Sequence, residues 1–175
     1  MNANNRIQNR LNIFAAGICI AAATIAIAPR AQALSKKFKT ITGEEIVEFL
    51  QDRGYEAELE EDSEGDPRIS GSNAEGVRFT IDFYECDRED EDRPCGSVQF
   101  LSGFDLPDPG MSAEEINDWN ARFRFGRALV DEEGDPILRL DVELNGGATR
   151  NNFEEWLNRW ETSLSSFLNH IGWNN

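Results

Sequence analysis

Residues 77–100 read VRFTIDFYECDREDEDRPCGSVQF. Val77, Phe79, Ile81 and Phe83 alternate with Arg78, Thr80, Asp82 and Tyr84. Beyond the loop, Val98 and Phe100 alternate with Ser97 and Gln99. A period of two puts successive side chains on opposite faces of a strand. The intervening DREDEDRP is polar and carries a proline, so it reads as a loop. Two such strands joined by one loop predict an antiparallel hairpin.

The cysteines suggest its register. With Cys86 opposite Cys95, Phe83 meets Val98 and Ile81 meets Phe100, apolar against apolar. Both cysteines then fall on the outer face, at a separation that a disulfide can close. A catalytic redox pair is usually C-x-x-C at a helix start, and a zinc site needs four ligands where a single histidine remains to help. A structural disulfide is the reading adopted.

Outward from the hairpin, one acidic phrase occurs twice, DSEGDP at 62–67 and DEEGDP at 131–136. A helix-loop-helix calcium site needs oxygen ligands at loop positions 1, 3 and 5, glycine at 6 and glutamate at 12. With Gly65 at position 6, position 12 is Gly71; with Gly134 there, positions 1 and 12 are Leu129 and Leu140. Neither copy closes a coordination shell, and the flanks alternate like strands. Both phrases read as hairpin turns, with glycine at positive φ and proline opening the next strand. No metal site is expected. Strands follow near 55–61, 67–73, 77–86, 95–102, 127–131 and 136–144; in the last, Leu138, Leu140, Val142 and Leu144 alternate with Arg139, Asp141 and Glu143.

Thr42-Gly-Glu-Glu45 and Ser112-Ala-Glu-Glu115 are capping boxes, with staples Ile41–Ile46 and Met111–Ile116. The first helix buries Ile46, Phe49 and Leu50 and ends near Gly54. The second presents Ile116, Trp119 and Phe123. The third repeats apolar residues at threes and fours (Phe153, Trp156, Leu157, Trp160, Leu164, Phe167, Leu168, Ile171) and stops at Gly172. The expected fold is α+β, an antiparallel sheet with flanking helices in the order α-β-β-β-β-α-β-β-α.

Residues 1–33 contain no Asp or Glu. Arg6 and Arg10 precede an apolar run from Leu11 to Ala28, and Ala31-Gln32-Ala33 follows, the pattern of a secretory signal peptide cleaved between Ala33 and Leu34. A retained membrane anchor is the rival reading. Residues 34–40 form a short linker and 41–173 the domain, which places the mature chain in the periplasm or outside the cell. Cleavage removes Arg6, Arg10 and Arg30 from 17 Lys+Arg and leaves 14 against 33 acids, a formal charge of −19. Such a surface repels phosphate backbones and anionic lipids. Nucleic acid is therefore not an expected partner, nor is a membrane once the signal is removed. A basic protein or peptide suits the charge better, and a homodimer is also compatible with the sequence.

His170 is the single histidine and lies at a helix end, so nucleophile–histidine catalysis would have to run through it. No G-x-x-x-x-G-K-[ST], G-x-G-x-x-G or G-x-S-x-G occurs, and the motifs imply no cofactor and no catalytic residue. The alternative to a non-enzymatic interaction module is a small carboxylate-dependent envelope hydrolase, because acids are abundant.

The run INDWNARFRFGRALVDEEGDPILRLDVELNGGATRNNFEEWLNRW, together with GYEAELEEDSEGDPRI, DFYEC and CGSVQF, resembles the YbjN family of bacterial proteins over about Ile41 to Trp173. The resemblance implies a fold like type III secretion chaperones, a label of sensory transduction regulator and no catalytic residues. The family's paired cysteines match Cys86 and Cys95. Its WN-x-x-x-R-F-G-R-A stretch matches Trp119, Asn120, Arg124, Phe125, Gly126, Arg127 and Ala128. The export signal departs from the family's cytoplasmic members. Within this stretch Trp119 and Phe123 read as core. Asn120, Arg122, Arg124 and Arg127 are polar donors in an acidic chain and could receive a carboxylate or a peptide terminus from a protein or peptide partner; pairing with local Asp and Glu is the competing reading.

Overall fold

The computed structural model describes residues 42–90, 93–145 and 147–173. The signal segment 1–33, its cleavage site at Ala33 and Leu34, the linker 34–40 and the Ile41 half of the first staple lie outside the described residues.

The elements run α1 (Gly43–Gln51), β1 (Glu56–Glu61), β2 (Pro67–Ser72), β3 (Arg78–Cys86), β4 (Cys95–Gly103), α2 (Ala113–Arg122), β5 (Arg127–Val130), β6 (Pro136–Glu143) and α3 (Arg150–Ile171). The six strands form one antiparallel sheet in the order β1-β2-β3-β4-β6-β5. This is the α+β architecture and element order that the periodicities predict.

The hairpin register is the predicted one: Ile81 faces Phe100, Phe83 faces Val98 and Cys86 faces Cys95. It extends into a transverse row of apolar pairs, Leu59 with Ile69, Ile69 with Ile81, Ile81 with Phe100, and Phe100 with Leu140. Slipping any of these strands by one residue would turn its apolar set to water, so the row fixes the register of five of the six strands. Against the row lies α3, with Trp160 and Phe153 centred 5.5 and 6.1 Å from Phe100. Helix α1 joins by an edge contact of Phe49 on Phe153, and α2 by Trp119 on Phe167. Trp119, Trp160, Ile46, Leu50, Phe153 and Phe167 are all fully buried.

Cys86 and Cys95 form a disulfide. Strict alternation puts both on the outer face, but Cys95 is fully buried with the core and Cys86 half-buried beside it. Between Tyr84 and Cys86, Glu85 takes a left-handed φ of 57° and interrupts the two-residue period of β3 just before the bridge.

Both acidic phrases are hairpin turns of one design. Asp62 Oδ1 accepts from the backbone of Glu64 and Asp66 at 2.8 and 2.9 Å, and Asp131 Oδ1 accepts from Glu133 and Asp135 at 2.9 Å each. Asn73 builds the same turn with Glu75 and Val77, a third copy (N-A-E-G-V) that the matching phrase conceals. The acidic copies also hold neighbouring loops. Gly65 O accepts from Arg93 at 2.7 Å and Asp66 takes a two-pronged contact from Arg88. Correspondingly, Gly134 O accepts from the Met111 backbone at 2.9 Å, and Asp135 from that of Leu106 at 3.0 Å. The repeated Gly-Asp thus anchors the 87–94 loop in one case and the 104–112 loop in the other.

Helix ends follow the local sequence. All three helices have complete capping boxes, at Thr42 with Glu45, Ser112 with Glu115, and Thr149 with Asn152. After α1, Gly54 N–H reaches Gln51 O and Tyr55 N–H reaches Leu50 O, the two bonds of a Schellman close. Gly172 ends α3 at φ 69°.

Candidate functional site

The 119–127 stretch bends from α2 into edge strand β5, and most of its residues are spent on making that bend. Trp119 is fully buried. Asn120 accepts from Ala128 N–H at 2.9 Å and donates to Ala128 C=O at 3.0 Å. In an edge strand those two groups have no ladder partner, so the amide takes the place of a neighbouring strand. Gly126 has φ 76°, and a Cβ there would stand 3.1 Å from Leu138 and 3.3 Å from Ser163. This close approach brings the corner down onto α3, where Ser163 Oγ donates to Phe125 O at 3.2 Å.

What remains is displayed. Phe123 is not part of a buried α2 stripe: it is the C-cap, extended at φ −108° and ψ 133°, and its ring stacks on Trp119 at 3.7 Å. Phe123 and Phe125 are 37% and 38% exposed, two of the three large apolar side chains displayed among the described residues. Together with α3 they bound a groove of about 270 Å³ whose rim includes Asn158, Arg159 and Thr162.

The four donors singled out in the sequence do not converge on one point. Asn120 serves Ala128, Arg122 pairs with Asp118 at 3.4 Å, and Arg127 pairs with Asp141 at 3.6 Å. Arg124 alone lines the groove, its guanidinium 5.2 Å from the centre of the Phe125 ring. From α3, Arg159 comes to 4.9 Å of the same ring. Arg159 was not legible as a site residue, because no spacing rule ties position 159 to 125. Seven arginines make ion pairs with carboxylates; Arg78, Arg124, Arg139 and Arg159 have none among the described residues, and of these Arg124 and Arg159 share the Phe125 ring.

Elsewhere the titratable groups do structural work. The backbone N–H of Asp66 foremost, helped by that of Glu64, holds the Asp62 carboxyl below its ordinary range, and the backbone and hydroxyl of Ser112 do the same for Glu115. Burial, then the Glu161 carboxylate that accepts its hydroxyl, pushes the Tyr55 phenol far above its usual value and ties the start of β1 to α3. His170 Nε2 lies 3.1 Å from Glu115 O, at the end of α3 as expected, with its ring beside Trp119. Among the described residues, no cluster of three or more His, Cys, Asp or Glu is arranged to hold a metal ion, and no helix is long and apolar enough to cross a membrane.

Comparison with curated proteins and with solved structures returned no match. Comparison with family models returned one, over residues 42–173, to the family described as "YbjN: Putative bacterial sensory transduction regulator". That match covers every described element, from the Thr42 cap to Trp173, and the chain belongs to the YbjN family.

Proposed function

We propose that this chain is an exported, non-enzymatic regulatory module that receives a protein or peptide segment in the groove between the Phe123–Phe125 corner and α3. The observation that carries the reading is the pair of half-exposed phenylalanines set beside two arginines that have no carboxylate partner among the described residues. Aromatic and arginine side chains are the residue types enriched at binding surfaces. Membership of a family of regulators supports a role in interaction. The remainder of the surface is strongly acidic, which favours a partner whose body is neutral or basic. The hydrolase alternative requires a pair of carboxyls, one of them kept protonated, and the residues lining the groove include no Asp or Glu.

Two experiments test this. A photo-crosslinking phenylalanine derivative replacing Thr162, on the groove rim, should give discrete adducts in the native envelope. The same probe at Glu132, on an exposed turn, should not, and Phe125→Ala should abolish the Thr162 adducts while preserving the circular dichroism spectrum. Turnover of an envelope glycan that a single Asp or Glu substitution abolishes would overturn the reading. For export, mass spectrometry should find a mature chain beginning at Leu34; an intact amino terminus in the membrane fraction would show an anchor instead.

A further inference from the structure

Resting on that reading of the groove, we infer the chemistry of its occupant: the carboxyl-terminal residue of a protein or peptide. Its free α-carboxylate meets Arg124 and Arg159, and its apolar side chain lies against Phe125.

The first argument is charge. The chain carries a formal charge of −16, and seven of its arginines stand against carboxylates. Of the four arginines without one among the described residues, Arg124 and Arg159 stand over the same ring and make a local cationic spot inside an acidic surface. The second is stereochemistry. Cation–π contact uses the flat face of a guanidinium, whereas its N–H donors lie in the plane and point outward from the edge. The two guanidinium carbons lie 5.2 and 4.9 Å from the Phe125 ring centre, and with no carboxylate paired to either among the described residues their N–H donors are available to a carboxylate, their best-matched acceptor. Third is size. A groove of about 270 Å³ is smaller than a typical drug-sized pocket, and it suits one residue better than a helix or a long acyl chain. The last is selectivity by repulsion. An acidic segment would be opposed by the rest of the surface, so the carboxylate has to arrive alone, on a neutral or basic chain. A chain terminus meets that condition. Asn158, on the rim, offers an amide to the last peptide group.

The test uses the full chain, labelled with nitrogen-15, and follows the Nε–Hε resonances of Arg124 and Arg159. The probes are acetyl-Ala-Ala-Phe and acetyl-Ala-Ala-Leu with free carboxyl ends, the same two peptides as amides, acetyl-Ala-Glu-Ala-amide, and decanoate. We expect the free acids to shift both resonances saturably and to bind about tenfold more tightly than the amides, the size of effect typical of a hydrogen bond to a charged group. The R124Q/R159Q double variant should remain folded and lose the difference. Equal binding of acid and amide would overturn the inference and leave an apolar docking groove. Tighter binding of the internal glutamate peptide or of decanoate would overturn the assignment to a chain terminus. No saturable shift with any probe would overturn both the inference and the interaction reading of the groove.

Discussion

Asn120 binds both backbone groups of Ala128, accepting from its N–H at 2.9 Å and donating to its C=O at 3.0 Å. One side chain thereby closes the open edge of β5 at a residue that is itself buried. Asn120→Ala should leave a donor and an acceptor unmet beside the core and cost about 2–3 kcal/mol in denaturant unfolding. Asn120→Asp keeps the acceptor but sets a carboxylate oxygen against the Ala128 carbonyl, acceptor against acceptor, so it should not restore wild-type stability. Equal stability of the alanine variant and wild type would show that water satisfies the edge as well as the amide does.

Gly126 and Gly65 separate two roles of glycine. Both have positive φ, but a Cβ at Gly65 meets nothing within 4 Å, whereas at Gly126 it presses on Leu138 and Ser163. Gly65→Ala should cost the backbone strain alone, about 1–2 kcal/mol. Gly126→Ala adds crowding against the core and should cost more, about 2–4 kcal/mol, and should weaken the contact between Phe125 and α3. The order of the two midpoints in thermal unfolding is the measurement. Reversal of that order would remove the argument that the corner is held down by close approach.

The sheet was readable because its information is local. A period of two in 77–86 and 95–102 and the Cys86–Cys95 match set the register, and the apolar row then follows across five strands. The groove was not readable, because it joins Phe125 to Arg159 through tertiary packing. Even the nearer error has this origin. Phe123 lies four residues after Trp119 and fits a helical stripe, with no glycine or proline to stop the helix before it. Helix α2 ends where it does because Ala128 has to return to Asn120 and pair with β6, a constraint that helical periodicity does not contain. The Asn73 turn was within reach of sequence reading, since N-A-E-G repeats D-x-E-G with the amide doing the work of the carboxylate.

That substitution within the chain itself gives a test in acid. Backbone N–H groups, that of Asp66 foremost, lower the Asp62 pKa below its ordinary 3.8. A group whose folded pKa is depressed contributes stability above its unfolded pKa, and loses it as pH falls through the lower folded value. NMR titration should therefore place the Asp62 carboxyl below 3.8. Asp62→Asn should fold, as Asn73 does in the same turn, and its stability relative to wild type should improve as pH drops below 3.8. An Asp62 pKa at or above 3.8 would show that the turn does not favour the charged form.

The disulfide links register to stability. Cys86 and Cys95 close a short loop at the tip of β3 and β4, and in the chain-entropy model such a closure stabilises by about 2–3 kcal/mol. The loop has other ties. Arg88 holds Asp66, and Arg93 holds Glu61 and Gly65 O, so reduction frees the sulfurs without freeing the tip. The apolar pairs of Phe83 with Val98 and Ile81 with Phe100 lie deeper in the sheet and do not depend on the bridge. Oxidised protein should show no free thiol from this pair, and reduction should lower the melting midpoint by roughly 5–8 °C without loss of cooperativity. Because Cys95 is fully buried and Cys86 half-exposed, a thiol reductant should attack at Cys86 and act slowly until the tip opens. The Cys86→Ser, Cys95→Ser double variant should melt with the reduced protein and ignore reductant. Removing the Arg88 and Arg93 clamps as well should widen the gap between oxidised and reduced forms, because the bridge would then be the remaining tie at the tip. Two titrating thiols in the native oxidised chain, or a collapse of the fold on reduction, would contradict this division of labour between bridge and sheet.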